Sequence, residues 1–477
     1  MKNRKLLVDS VWSIGSHVFS LGIVLISNIF LARLMGPKEF GQLGIIMFFI
    51  AVFNVFTDGG LSGALVRRLD KKEEDYSTVF TFNFVVSTIL FFIMVMISGL
   101  IAQFYNTPSI QKPIIAAAAI LIISSFQTIQ NVKMLQKLEF KKRSIITLLS
   151  TFLGVIIGIG LAFFLNLGVW ALIAIPISTV LFQTILYIYL EGFYFNLGFN
   201  KNSFKELFGF GVNTTLVSVL NLTFDNIYQL VIGRVFNMYQ VGFYYQAKKL
   251  QDVPNNVVNN LSQGVFFSSL SRIQNQKDEL IRTYNLISKS FLFLMGFAVL
   301  IMQLFGKDMI LLMFGSKWLG AVYYIKLLIV GSLFYTQELI NKMIFKVYNK
   351  TNNLLRLEFV KKIFQIITLV IGVYLKRIDL LLYGYIATNA FSYFINYYFT
   401  SKIIEIGKRE LILLIKVIIL LFVLIIGYSL VEINITSQLL LKGVALLFVI
   451  SYIIFSEIFN IFSIKVLINL IKKNLKK

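Results

Sequence analysis

Four segments of the sequence carry polar and charged side chains at helical spacing within otherwise apolar runs. The stripes are Ser13, His17, Ser20 and Ser27; Asn54, Asp58 and Ser62; Thr214, Ser218, Asn221, Asp225 and Tyr228; and Tyr244, Lys248, Gln251, Asp252, Asn255, Asn259 and Gln263. Spacings of three and four residues place each stripe on one face of a helix. Because a charge at bilayer depth costs about 3 kcal/mol or more, it is expected to face a cavity or a partner. The four stripes therefore predict one shared, water-filled cavity.

Each polar stripe also has a structural explanation. Serine and asparagine in membrane helices often hydrogen-bond to neighbouring helices. His17 fits a packing role as well as proton transfer. Asp58 can pair with Arg67 or cap its own helix. These residue types alone do not separate packing from function.

Lys248 is the charged residue that is hardest to explain by packing. It lies about seven residues into its helix, roughly 10 Å deep at 1.5 Å per residue. Asp252 and Asp225 can be structural partners of Lys248 and Arg234. Arg33 and Arg234 lie near the outer membrane interface, where a long cationic side chain can reach the head groups.

The composition excludes a soluble protein. The chain has 477 residues, of which 57% are hydrophobic and 14% charged, whereas soluble proteins are roughly 45–50% apolar and about 25% charged. Spans of about 20 residues each would use most of the chain and leave no room for a soluble catalytic domain. There is no Cys, one His and no H-E-x-x-H motif, which argues against disulfides, a thiolate metal site or a zinc hydrolase. No metal and no cofactor is predicted.

Apolar runs predict an all-α polytopic membrane protein with about 14 transmembrane helices. The runs are 10–32, 41–65, 78–104, 113–132, 144–165, 168–190, 207–232, 241–270, 284–305, 321–345, 356–375, 380–400, 410–431 and 438–462. The segment 241–270 is the least typical, because it is polar and contains Pro254.

Lysine and arginine predict the orientation of the chain. The net charge is +23, and most basic residues, Lys342 and Lys361 among them, fall in one set of predicted loops. The positive-inside rule places these loops and both termini in the cytoplasm, and an even number of spans requires the same. Topology thus explains the basic charge without a nucleic-acid partner, with anionic lipid head groups as a secondary contact. The first apolar run is interpreted as an uncleaved helix.

A short internal repeat indicates two halves. The segments 32–41 and 233–242 align Arg33 with Arg234 and Gly41 with Gly242 at one common spacing. Each segment closes one predicted helix and opens the next. The repeat predicts two six-helix lobes with the same orientation, residues 1–200 and 201–405, followed by two helices and a basic tail in 406–477, as in transporters that move by alternating access.

Several motifs resemble one family of exporters. They are A-R-L-M-G-P-K-E-F-G at 32–41, T-D-G-G-L-S-G-A-L-V-R-R at 57–68, V-G-F-Y-Y-Q-A-K-K-L-Q-D-V-P at 241–254, F-F-S-S-L-S-R-I-Q at 266–274 and F-G-S-K-W at 314–318. The sequence resembles the Wzx-type polysaccharide or O-antigen flippases, in the colanic-acid-exporter-like branch of the multidrug/oligosaccharidyl-lipid/polysaccharide (MOP) exporter superfamily. It departs from the pattern at Ser268 and Ser269, where a proline is expected.

The resemblance implies a flippase of the bacterial inner membrane rather than an enzyme. Its substrate would be an undecaprenyl-diphosphate-linked oligosaccharide, moved from the cytoplasmic to the periplasmic leaflet with the lipid tail left in the membrane, along a groove formed by the last two helices. Cationic groups for the diphosphate would be Lys248, Lys249, Arg33 and Arg234. Partners for the sugars would be Asn221, Gln251, Asn255, Asn259, Tyr244 and Tyr245. Candidates for coupling to H⁺ or Na⁺ are Asp58, Asp225, Asp252 and His17. A polysaccharide polymerase and a chain-length regulator are candidate protein partners.

Three other functions remain open from the sequence. A multidrug or cation antiporter of the same superfamily should have a cavity dominated by acidic residues. A membrane-embedded glycosyltransferase or polymerase needs an acid/base or metal site on a sizeable external loop, and the longest predicted one, near 306–320, offers only Asp308. A purely structural membrane protein would not need stripes of charged residues.

Overall fold

The protein is built from α-helices, as the apolar runs predict. The computed structural model describes residues 2–68, 70, 72–435 and 437–461, and these residues form seventeen α-helices with short 3₁₀ and π turns and no strand. The all-α fold class is confirmed.

The helices divide into two compact units, which are described separately below. Unit 1 comprises Met1–Tyr245 and Met313–Lys317, and unit 2 comprises Gln246–Leu312 and Trp318–Lys477. Unit 1 holds α1 (Lys2–Leu34), α2 (Pro37–Asp58), α3 (Leu61–Arg67), α4 (Glu73–Phe104), α5 (Gln111–Ser125), α6 (Thr128–Gln136), α7 (Phe140–Leu165), α8 (Val169–Glu191), α9 (Lys201–Val235) and the start of α10 (Met238–Leu261). Unit 2 holds the rest of α10, α11 (Phe267–Arg272), α12 (Lys277–Met313), α13 (Gly320–Val347), α14 (Thr351–Tyr374), α15 (Ile378–Ile404), α16 (Arg409–Asn434) and α17 (Gln438–Ile458). The predicted lobes 1–200, 201–405 and 406–477 stay a prediction.

Many helices are long and apolar enough to cross a membrane. Within the part of the chain that the structure describes, nine segments qualify by length and hydropathy: α2, α4, Pro108–Ser125, α7, α8, Gly211–Val235, α12, α16 and α17. Large apolar side chains point outward on these helices; Phe92 and Met96 of α4, for example, are 60% and 80% exposed. An apolar surface of this extent belongs in lipid. The chain is an integral membrane protein, and the count of about 14 spans stays a prediction.

Three predicted runs are interrupted in the structure. The run 41–65 divides into α2 and α3 because Gly59 and Gly60 have φ values of +55° and +72°, a conformation that glycine adopts without strain. The run 113–132 divides into α5 and α6. The polar run 241–270 continues through Pro254 and contains a π-helical turn at Ser262–Phe266. This turn lies just before the two serines that replace the expected proline.

The repeat seen in the sequence has a counterpart in the helix starts. Helix α2 begins at Pro37, and the Glu39 carboxylate accepts a hydrogen bond of 3.1 Å from the backbone N–H of Gly36. Helix α10 begins at the equivalent position, where Asn237 Oδ1 accepts a bond of 3.0 Å from the backbone N–H of Gln240. Side chains that satisfy the first N–H groups fix where a helix begins.

Small residues allow close helix packing in both units. In unit 1, Gly154 and Gly158 of α7 lie against Ile175 of α8, the small-xxx-small pattern of membrane helix pairs. In unit 2, α17 packs on α12, where the Tyr452 hydroxyl donates a hydrogen bond of 3.0 Å to the Phe293 carbonyl and lies over Gly296. The two C-terminal helices are thus part of the unit 2 core.

Candidate functional site

The two arginines of the sequence repeat each bind the last carbonyl of a helix. Arg33 Nε donates a hydrogen bond of 3.1 Å to the carbonyl of Met313, the last residue of α12. Arg234 donates to the carbonyl of Phe104, the last residue of α4, with its guanidinium carbon 4.7 Å from the centre of the Phe104 ring. A cation is favourable at a helix C-terminus, where carbonyl groups lack partners. Both residues were predicted to bind substrate, and this structure places them as helix caps.

The two glycines of the repeat make a reciprocal backbone contact. A Cβ added to Gly41 would lie closer than 3.0 Å to the carbonyl oxygen of Met238, and one added to Gly242 would overlap that of Pro37. Only glycine permits this approach of α2 and the start of α10. By the predicted orientation, this contact lies at the outer end of unit 1, and we call it the outer contact.

A second glycine contact joins α9 to the break between α2 and α3. A Cβ on Gly211 would overlap the carbonyl oxygen of Gly59, and one on Gly60 would lie closer than 3.0 Å to the Gly211 backbone. Arg68 lies beyond this point and forms ion pairs with Asp75 at 3.2 Å and Glu206 at 3.0 Å. We call the Gly60–Gly211 approach the inner contact.

A cavity of about 460 Å³ with both polar and apolar lining lies beside the inner contact. Asn54 and Asp58 of α2 and Thr214 and Ser218 of α9 line it. These residues belong to two of the four stripes identified in the sequence, so the structure brings together the polar faces of these two helices. The cavity offers a polar solute side-chain partners on α2 and α9.

The other predicted residues of unit 1 lie on α9, on the start of α10 and on α1. Asn221 and Asp225 lie at exposed positions that continue the polar face of α9. Tyr244 is buried, whereas Tyr245 is half-buried, with its ring centre 6.5 Å from that of Phe40. The side chain of His17 lies outside the described residues.

In unit 2, Lys248 of α10 lies near one acidic, one amide and one aromatic side chain. Its Nζ lies 2.9 Å from Asp252 Oδ1 and 3.3 Å from Gln251 Oε1, and 6.0 Å from the centre of the Tyr385 ring. The side chains of Lys248 and Asp252 are 29% and 41% exposed, and Lys249 is half-buried. The pairing of Asp252 with Lys248, one of the structural explanations, is observed.

The amides of α10 differ in their surroundings. Gln251 is fully buried and donates to the Leu328 carbonyl at 2.6 Å and to the Tyr385 hydroxyl at 2.9 Å, so it holds α10 against α13 and α15. Asn255 is buried, and its Oδ1 has no hydrogen-bond partner. Asn259 is half-buried and accepts a bond of 3.1 Å from Gln263. As predicted ligands for a sugar, Asn255 and Asn259 are less committed to packing than Gln251.

Unit 2 also contains a buried ion cluster that was not predicted. The carboxylate of Glu338 is fully buried and pairs with Lys361 at 2.9 Å and with Lys342, which in turn pairs with Glu358. The sequence assigned Lys342 and Lys361 to cytoplasmic loops, but both lie in helices, α13 and α14. Two acids and two lysines leave the cluster neutral, which is how charges are tolerated in a low-dielectric interior. The four-residue spacing of Glu338 and Lys342 was a signal that could have revealed the pair.

Comparisons with known proteins agree with this structure. The family model described as "polysaccharide biosynthesis protein" matches residues 30–323. The lipopolysaccharide biosynthesis protein WzxC of Escherichia coli K12 is 24% identical over 342 residues, covering 69% of this chain and 67% of the relative. The succinoglycan biosynthesis transport protein ExoT of Rhizobium meliloti is 22% identical, covering 66% and 64%. The teichuronic acid biosynthesis protein TuaB of Bacillus subtilis is 27% identical, covering 58% of each chain.

Solved structures show the same fold. The lipid II flippase MurJ in an inward closed conformation aligns with a TM-score of 0.69 at 15% identity, covering 94% of this chain and 98% of that one. An inward-facing multidrug transporter of the MOP superfamily aligns with a TM-score of 0.64 at 14% identity, covering 80% and 94%. The resemblance to MOP exporters is confirmed, and ExoT, MurJ and the multidrug transporter are transport proteins by name. This chain belongs to the polysaccharide biosynthesis protein family and has the fold of the MOP exporter superfamily.

Proposed function

We propose that this protein is a flippase for lipid-linked oligosaccharides. It carries undecaprenyl-diphosphate-linked glycan repeat units from the cytoplasmic to the periplasmic leaflet of the bacterial inner membrane, with both termini in the cytoplasm. The observation that carries the proposal is the cavity onto which polar side chains of α2 and α9 converge. A hydrophilic head group crosses a membrane only where protein supplies polar partners at bilayer depth, and this cavity supplies them.

Lys248 and Lys249 are the proposed cations for the diphosphate. The pairing of Lys248 with Asp252 does not prevent this role. A partly exposed ion pair four residues apart on a helix is worth about 0.3–0.5 kcal/mol. Displacement of the carboxylate by a diphosphate oxygen, which can make the same charge-assisted hydrogen bond, therefore costs little. Arg33 and Arg234 remain candidates for the diphosphate, with part of each guanidinium bound to the carbonyl at a helix C-terminus.

Alternating access is proposed to work through the two glycine contacts. If the outer contact separates while the inner one persists, the cavity opens outward; the reverse opens it inward. Packed helices have discrete arrangements of this kind. Asp58 is the best-placed carboxylate for coupling to H⁺ or Na⁺, because it lines the cavity. The membrane potential adds about 2.3 kcal/mol per charge for each 100 mV.

The isoprenoid tail stays in the membrane during transport, and the delivered head group is then free for extracytoplasmic enzymes. A polysaccharide polymerase and a chain-length regulator are the proposed partners on that side, since they would consume the product. Membrane lipids contact the exposed apolar faces of the helices.

The proposal is tested in the host strain by replacing the chromosomal copy with Lys248→Ala or Lys248→Arg. We expect Lys248→Ala to insert normally, to reduce surface polysaccharide about 10-fold or more, and to accumulate lipid-linked oligosaccharide. Lys248→Arg keeps the charge and should retain most of the activity.

Normal surface polysaccharide with Lys248→Ala would remove Lys248 from the site. Normal surface polysaccharide in a strain that lacks the whole protein would overturn the flippase function. A deletion strain that instead becomes sensitive to cationic drugs would favour the antiporter.

A further inference from the structure

A second cavity of about 340 Å³ lies in unit 1 on the other side of Asp58 and Asn54. Every residue that lines it has a polar side chain, and five of them are amides: Asn54, Asn83, Gln127, Asn131 and Gln183. They come from α2, α4, α6, α8 and the junction before α6. A cavity whose lining residues all carry polar groups is unusual in a membrane-embedded helix bundle, since each polar group there must find a partner.

Two helix interruptions border this amide cavity. Asp58 and Ser62 flank the Gly59–Gly60 break between α2 and α3, and both line the cavity. Gln127 and Thr128 line it at the junction of α5 and α6, where the backbone tightens and the N–H of Gln127 bonds to the carbonyl of Ser124 at 3.2 Å. Discontinuous helices are where transporters commonly build their binding sites, because the break frees polar groups to face a ligand.

Several polar atoms of the cavity have no partner within the protein. Asn83 is only 1% exposed, and neither its Nδ2 nor its Oδ1 forms a hydrogen bond. Gln127 Oε1 is also buried without a partner. Leaving a buried polar group unpaired is costly, so a ligand with matching donors and acceptors would gain from binding here.

The charges of the cavity indicate a neutral ligand. Asp58 and Arg143 are its one acid and one base, so they balance, and the described residues contain no group of three His, Cys, Asp or Glu that could hold a metal ion. Amides donate and accept at once, which matches hydroxyl and acetamido groups. A volume of about 340 Å³ is at the lower end for small-molecule pockets, roughly 300–1,000 Å³, which suits a single sugar ring.

We infer that this amide cavity is a binding site for one sugar residue of the transported glycan, and that Asn83 and Gln127 are its main hydrogen-bonding groups. The inference rests on the proposed flippase function. By the predicted orientation, the cavity lies toward the cytoplasmic end of unit 1, where a head group assembled in the cytoplasm would enter. The site would thus select substrates by one sugar before the diphosphate is carried across.

The test measures which part of the glycan touches the protein. The probe is the oligosaccharide released by mild acid from the lipid-linked pool of the host. Saturation-transfer NMR is recorded with the purified protein in lipid nanodiscs, for the wild type, Asn83→Leu and Gln127→Leu. The matched control is Asn396→Leu in unit 2, which removes an equally buried asparagine whose Oδ1 is also unpaired.

In the wild type and in Asn396→Leu, we expect the saturation to be concentrated on one sugar residue. In the two cavity variants, we expect this signal to be at least about 10-fold weaker, which corresponds to about 1.4 kcal/mol of binding free energy. The use of two cavity variants allows for one that fails to fold. The inference is overturned if the wild type shows no saturation, if saturation is even along the oligosaccharide, or if the cavity variants bind like the control. Any of these results, from a protein that still restores surface polysaccharide to a deletion strain, would leave the flippase function intact.

Discussion

Alanine at Gly41 or Gly211 should bias the protein toward opposite conformations. Gly41 belongs to the outer contact and Gly211 to the inner contact, and in each case an added Cβ would overlap a carbonyl oxygen of the opposing segment. Because the clashing atom belongs to the backbone, the helices themselves must move apart. Gly41→Ala is therefore expected to favour the outward-open state, and Gly211→Ala the inward-open state.

The size of the effect follows from the cost of overpacking. An extra methyl group in a well-packed position costs typically about 1–3 kcal/mol. Each change of about 1.4 kcal/mol alters an equilibrium constant tenfold. This cost therefore shifts the equilibrium between the closed and the open contact roughly 5- to 150-fold. The shift occurs only if the closed contact is absent from the favoured open state, as alternating access requires.

Thiol labelling measures this shift directly. The chain has no Cys, so Ser218→Cys, in the cavity between α2 and α9, introduces a single thiol. We expect Gly41→Ala to increase labelling by a membrane-impermeant maleimide from outside in intact cells. Gly211→Ala should increase labelling in inverted vesicles.

The control is Gly160→Ala, a helical glycine of α7 with no atom within 4 Å of the added Cβ. It should leave both labelling rates unchanged. If Gly41→Ala and Gly211→Ala raise labelling from the same side, or neither changes it, the two glycine contacts are not the closures of alternating access.

Two further variants test the caps and the buried charges. Arg234→Gln removes a helix-capping cation worth about 0.3–1 kcal/mol and a ring contact worth about 0.5–1 kcal/mol, so outside labelling of Ser218→Cys should rise several-fold; an unchanged rate would exclude a role of this cap in closure. Lys361→Met leaves the buried Glu338 with one cation fewer, at a cost of about 3–5 kcal/mol, and should lower the melting temperature clearly. The exposed Lys307→Met should not, and equal melting temperatures for the two would contradict the importance of the cluster.

The parts of the fold that depend on local patterns were predictable from the sequence. Apolar runs fix helices in a membrane protein because lipid offers the backbone no other partner. The three- and four-residue spacing of Asn54, Asp58, Thr214 and Ser218 fixed which faces are polar, and these two faces do line one cavity. The alignment of Gly41 with Gly242 was also apparent in the sequence. The reciprocal contact between α2 and α10 was apparent only in the structure.

The parts that depend on distant partners were not predictable. A lysine near the end of an apolar run looks the same whether it faces the cytoplasm or a buried carboxylate, so Lys361 was assigned to a loop although it binds Glu338 of the preceding helix. Asn83 gave no signal, because a single amide in an apolar helix is common and the other cavity amides lie on other helices. The break at Gly59–Gly60 was missed because glycine pairs also occur within membrane helices.

Transport by the purified protein tests the central claim most directly. Lipid-linked oligosaccharide from the host is reconstituted into liposomes with or without the protein, and an impermeant oxidant then attacks the sugars of the outer leaflet. The flippase function predicts that protein-containing liposomes expose the whole pool to the oxidant, while protein-free liposomes protect the inner-leaflet fraction. Equal protection in both would contradict it.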